Sequence, residues 1–146
     1  MIETGTSREE TITVDERMAI SFLGKESARV LSTPQMIQHM EIASRNLLFP
    51  MLEPGHDSVG TVVHVKHLGA APIGTRVVFR SEILAVDGRK VTFSVSAYDA
   101  HGPIGEGTHE RTIIDIERFA AKMASKLAGK DGVIQPAEET VPDRSR

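Results

Sequence analysis

The chain has 146 residues, 40% hydrophobic and 25% charged, with a formal net charge of -3, a composition that describes one globular domain around a single core. Its 17 lysines and arginines are scattered rather than gathered into a basic stripe, so nucleic acid is not an expected partner. The absence of cysteine excludes a disulfide framework, a thiolate nucleophile and a cysteine-held zinc or iron-sulfur centre.

The opening MIETGTSREE is polar and acidic rather than basic and then apolar, and no apolar run approaches the roughly 18 residues that span a bilayer. A cytoplasmic location without a membrane partner is the expectation. A first strand is predicted over 9–15, where Ile12 and Val14 alternate with polar residues. From Asp15 to Lys25 the apolar residues Met18, Ile20, Phe22 and Leu23 keep no period, as in a lid, a pocket wall or a plain connector.

A helix is predicted from Thr33, read as its cap and followed by Pro34, to about Met51. Met36, Ile37, Met40, Ala43, Ser44, Leu47, Leu48 and Met51 fall within an arc of roughly 140°, and Glu41 lies just beyond its edge. Four strands follow at 57–68, 75–86, 89–99 and 103–116. Asp87-Gly88 between the second and third is a hairpin signal, and the four are read as a sequential antiparallel meander. In IERFAAKMASKLAG, Phe119, Met123 and Leu127 recur every four residues and Gly129 ends a short amphipathic helix. The domain is thus 1–128, and 129–146, charged and proline-containing, reads as a disordered tail.

This order is α+β. One long apolar helix with four long antiparallel strands gives the hotdog arrangement, a helix wrapped by a curved sheet. One such layer leaves a free strand edge and a bare helix flank, so a homodimer is expected.

Several residues carry possible chemistry. Thr33 stands at a helix start, where free N–H groups favour an anion; its plain alternative is a cap. Glu41 is either a solvated carboxylate or, under a second copy, a buried one in need of a partner. His64 and His67 are three apart and point to opposite faces of a regular strand, which argues against a shared metal ion, and strand parity does not choose which of them faces the helix. Gly60 marks a bulge, a packing contact or a close backbone approach. In GEGTHERT, Arg111 either pairs with a carboxylate, holds an anionic ligand or lies on a solvated face.

Thr33, Glu41, GTVVHVKH and GTHER, in this order and spacing, resemble the fluoroacetyl-CoA thioesterase family, and the likeness covers about 10–120. The resemblance implies the hotdog fold, a homodimer with sites near the interface, and hydrolysis of an acyl-CoA thioester without metal or redox cofactor. It assigns Thr33, Glu41 and His67 to a catalytic group in which Thr33 orients the carboxylate, Gly60 to the backbone N–H that faces the thioester oxygen, and Arg111 to the substrate side. The family's aromatic lid has no clear counterpart in MAISFLGKESARVLS, where Phe22 is the one aromatic residue, so fluoroacetyl specificity is not carried over. Two rival readings are a hotdog acyl-CoA hydratase or dehydratase, for which no Asp and His pair is evident, and a non-catalytic dimer that binds acyl-CoA or another small ligand.

Overall fold

The computed structural model describes residues 1–129, so the predicted tail lies outside the described residues except for Gly129. In chain order the elements are β1 (Ser7–Thr13), α1 (Thr33–Leu48), β2 (His56–His67), β3 (Arg76–Asp87), β4 (Lys90–Asp99), β5 (Gly102–Asp115) and α2 (Ile116–Ala128). Short 3-10 turns occupy Glu26–Ala28 and Phe49–Met51.

Helix α1 is set by its ends and by one apolar face. The Ser32 hydroxyl accepts from the Gln35 N–H at 3.2 Å, which makes Ser32 and not Thr33 the cap. Pro34 sits in the first turn, where no N–H is required. At the other end Pro50 lacks the N–H that would continue the ladder, and the chain tightens into a 3-10 turn. Between them Met36, Met40, Ala43, Ser44, Leu47 and Leu48 are buried, against Val77, Phe79 and Ile83 of β3 and Val91, Phe93, Val95 and Ala97 of β4. Each large side chain so buried contributes roughly 1.5–3 kcal/mol.

Ser44 is the polar exception on that face. Its hydroxyl donates to the Met40 carbonyl at 2.8 Å and meets Ser81 Oγ at 2.8 Å, so neither buried serine lacks a partner. Arg45 forks onto Asp57, Nε to Oδ1 at 3.1 Å and Nη2 to Oδ2 at 2.6 Å, which ties α1 to the start of β2.

The five strands form one antiparallel sheet in the order β1-β3-β4-β5-β2. The predicted meander therefore holds for β3, β4 and β5 only, and β2 pairs with β5 rather than with β3. The reason is edge occupancy. The two-residue turn Gly88-Arg89, with Gly88 at φ 60°, folds β4 onto one edge of β3, while β1 takes the other from Ser7↔Glu82 to Thr13↔Arg76. The vacant edge of β5 is where β2 pairs, from His56↔Asp115 to His67↔Gly105.

Two glycines of β5 make that pairing close. A methyl group on Gly107 would lie 2.6 Å from Val65 Cα and still nearer the His64 carbonyl oxygen, and one on Gly105 would lie 2.9 Å from the Lys66 carbonyl oxygen and against the Met36 sulfur. Neither strand backbone can retreat without opening the ladder. Gly107→Ala is therefore expected to destabilise the fold by about 3 kcal/mol, read as a lowered urea midpoint; an unchanged midpoint would refute this close approach.

Helix α2 starts on Asp115, whose side chain accepts from the Arg118 N–H at 3.0 Å. It is amphipathic as predicted, but none of its residues is buried, and Ile116, Phe119, Met123 and Leu127 stay exposed.

Candidate active site

The strand that carries Gly60, His64 and His67 is not regular. Its register with β5 shifts between Gly60 and Val62, so that Gly60 faces Arg111 and Val62 faces Glu110, and Thr61 is the extra residue of a β-bulge. Past the bulge Val63, Val65 and His67 pair with His109, Gly107 and Gly105, while His64 pairs with Thr108. His67 thus shares the helix-facing side with Gly60 although the two are seven positions apart, and His64 is turned to the other face. The bulge settles what parity left open.

Two clusters of polar side chains line this face. In the first, Thr33 Oγ1 lies 2.7 Å from His67 Nδ1. Because Ser32 does the capping, the Thr33 hydroxyl is free to meet the imidazole. The other ring nitrogen, His67 Nε2, is buried and has no hydrogen-bond partner among the described residues, a position that costs about 1–3 kcal/mol when left unfilled.

The second cluster surrounds Glu41, two helical turns and about 12 Å further along the axis. Arg111 is 6% exposed, and its Nη1 donates to Glu41 Oε2 at 3.3 Å. The rest of the guanidinium is anchored on β2, with Nε donating to Ser58 Oγ at 2.7 Å and Nη2 to the Ser58 carbonyl at 2.9 Å. Glu41 itself keeps 39% of its side-chain exposure. Its carboxylate lies against Gly60, where a methyl group would fall on Oε2 and 3.3 Å from Cδ. Only a glycine admits the carboxylate there.

Burial is the largest influence on Arg111, pushing it below the ordinary arginine value, and Glu41 and Asp57 oppose it. It remains a cation. His109, beside it, is 1% exposed. Burial holds His109 below the ordinary histidine value, and the Arg111 charge adds to that effect; the Val62 carbonyl, Glu41 and Glu110 pull the other way.

The predicted set is thus brought together in two groups. Thr33 with His67 form one, and Glu41 with Gly60 and Arg111 the other. Thr33 does not orient the carboxylate within one chain, because its hydroxyl is engaged by His67; that task falls to Arg111. Arg111 is not on a solvated face, and of its alternatives the pairing with a carboxylate is the one observed. Ser58 and His109 were not singled out as site residues. His109 and Arg111 are two apart in GTHER and so share a face, a signal that was available in the sequence.

The segment between β1 and α1 folds back on itself through bridges Ala19↔Leu31 and Val30↔Pro72. Arg29 pins it, donating to the carbonyls of Ile20 at 3.2 Å and Glu16 at 2.8 Å. Phe22 stands at its tip and is 80% exposed, whereas Val30, at its base, forms a wall with His67, Leu68, Gly69 and Ala70 around a cavity of about 230 Å³. Gly69 and Ala70 also line a cavity of about 720 Å³ that reaches Arg76, His101 and Pro103.

The comparisons with known proteins agree with this geometry. A family model described as fluoroacetyl-CoA-specific thioesterase matches residues 14–117. The fluoroacetyl-CoA thioesterase of Streptantibioticus cattleyicolor is 42% identical over 101 residues, 69% of this chain and 73% of that protein. A solved structure of a fluoroacetyl-CoA thioesterase superposes with a TM-score of 0.78 at 35% identity, covering 86% of this chain and 98% of that one. A hot-dog-like protein from Thermanaerovibrio acidaminovorans gives a TM-score of 0.80 at 26% identity, over 87% and 94% of the two chains. This chain, a hotdog fold with its Glu41 and Thr33–His67 groups on one sheet face, belongs to the fluoroacetyl-CoA-specific thioesterase family.

Proposed function

We propose that the protein hydrolyses an acyl-CoA thioester to the free acid and CoA, as a homodimer in which Thr33 and His67 of one protomer act with Glu41 of the partner subunit. The observation that carries this reading is a half-exposed carboxylate, fixed by a buried arginine against a glycine, beside a free strand edge. Solved relatives include a complex with fluoroacetate and CoA and one with acetyl-CoA. The substrate proposed here is a short or medium acyl-CoA, since no aromatic residue of the 15–32 segment covers the Thr33–His67 pair.

The division between protomers follows from the edge. Gly60 to His64 are exposed along β2, and Val62, Val63 and Ile42 are apolar groups left bare there. Antiparallel pairing of two β2 edges about a two-fold axis between Val63 and His64 sets Gly60 of one chain opposite His67 of the other, since both are equally far from that point. Each Glu41 would then meet the imidazole that its own chain holds away from it.

In the reaction the Glu41 carboxylate either attacks the thioester carbon itself or takes a proton from the water that does. The carbonyl electron pair moves onto oxygen, where the Gly60 N–H stabilises it. Collapse of the tetrahedral species breaks the C–S bond, and the departing sulfur takes up a proton from His67, whose orientation Thr33 fixes.

The test measures CoA release from a panel running from acetyl- and fluoroacetyl-CoA to medium-chain acyl-CoAs, with crotonyl-CoA hydration as the control for the hydratase reading. Release of CoA is expected; acyl-CoA binding with neither reaction would favour the non-catalytic dimer. Mixing Glu41→Gln with His67→Ala chains checks the shared site: re-equilibrated heterodimers hold one intact site, and recovery of about a quarter of wild-type activity is expected. No recovery would place both residues in one protomer.

A further inference from the structure

Arg111 holds Glu41, and His109 holds Arg111. We propose that His109 is a positioning residue for hydrolysis: its neutral imidazole, locked in one tautomer, sets the end of the guanidinium that aims the Glu41 carboxylate. The inference rests on the reading of Glu41 as the working carboxylate.

The tautomer follows from the neighbours. His109 Nδ1 lies 2.7 Å from the Val62 carbonyl oxygen, which can only accept, so Nδ1 carries the proton. His109 Nε2 lies 3.3 Å from Arg111 Nη1, which can only donate, so Nε2 presents its lone pair. No other protonation state makes both contacts hydrogen bonds. A second proton on the ring would set two cationic donors face to face at a buried site, with Glu41 from α1 and Glu110 from β5 as the nearby carboxylates. Phe93 of β4 closes the remaining side, its ring centroid 5.9 Å from that of the imidazole in stacked orientation.

The consequence falls on one N–H group. Ser58 takes Nε and Nη2 of Arg111, which fixes one side of the fork to β2. Nη1 has two acceptors, His109 Nε2 and Glu41 Oε2, each at 3.3 Å. The imidazole is the rigid one, set in the sheet and bonded at both nitrogens, whereas Glu41 is the tip of a flexible side chain. With the lone pair gone, Nη1 answers to Glu41 alone, and the carboxylate loses its fixed reference. A buried histidine kept only to fill space would have no need of an acceptor on that side.

The experiment compares His109→Phe, which fills the space beside Phe93 without accepting, with His109→Gln, whose amide can both donate and accept. Expected for His109→Phe is a kcat lower by at least about tenfold with KM within twofold of wild type, and for His109→Gln a partial return of kcat. In an Arg111→Lys background the His109→Phe change should add no further loss, since it acts through the arginine. The ring nitrogen shifts of the wild-type protein should report the Nδ1–H tautomer, a reading that needs no variant to fold. A wild-type kcat in folded His109→Phe, a fully additive loss in the double variant, or the Nε2–H tautomer would each overturn the proposal. If Glu41→Gln keeps full activity, the underlying reading of Glu41 fails; if it is inactive while His109→Phe turns over normally, only the positioning role fails.

Discussion

Glu41→Gln is expected to lower kcat for acyl-CoA hydrolysis by about 10³-fold, within the 10²–10⁴ range that a positioned base supplies. The change is nearly isosteric, and the amide oxygen can still accept from Arg111 Nη1, so the side chain keeps its place against Gly60. What disappears is the negative charge and the capacity to attack carbon or take up a proton. KM should therefore stay close to that of the wild type, because the loss is confined to the transition state. Release of free CoA followed with a thiol reagent gives both constants, and a variant within a few-fold of wild-type kcat would remove Glu41 from the chemistry.

The second large effect is expected from a single methyl group. In Gly60→Ala the new carbon would fall on the Glu41 carboxylate and lie 3.2 Å from His109 Cε1. Of the two neighbours the imidazole is buried and bonded, whereas the carboxylate is partly exposed and able to swing out. The carboxylate therefore gives way and loses its bond to Arg111. A displacement of this size is expected to cost about 10²-fold in kcat, while the fold, relieved by a side chain that turns into solvent, should lose only about 1 kcal/mol. Activity assayed beside thermal melting separates the two quantities. Wild-type kcat in folded Gly60→Ala would show that the carboxylate does not need this seat.

Much of the fold was legible because its signals are local. The ends of β2, β3, β4 and β5 follow turn residues, and the apolar face of α1 follows a helical repeat that burial of Met36, Met40, Ala43 and Leu47 bears out. The position of β2 was not legible as a meander, because which strand accepts it depends on how β1 and β4 occupy β3, a fact of assembly rather than of any one segment. Ser32 and Thr33 are adjacent hydroxyls before a proline, and sequence alone does not say which of them turns inward to cap. The faces of His64 and His67 were hidden by an extra residue with no strong marker of its own. The candidate residues themselves came from family resemblance; Arg111, buried between Ser58, His109 and Glu41, shows what residue type alone left open.

That single surplus residue at Thr61 acts as a reading frame for the strand. Shortening β2 by one position ahead of His67 would leave its hydrogen-bonding capacity untouched, yet every side chain beyond would swap its dry side for its wet one. Strand length, and not merely residue identity, is thus part of what a relative must keep if glycine and imidazole are to look the same way.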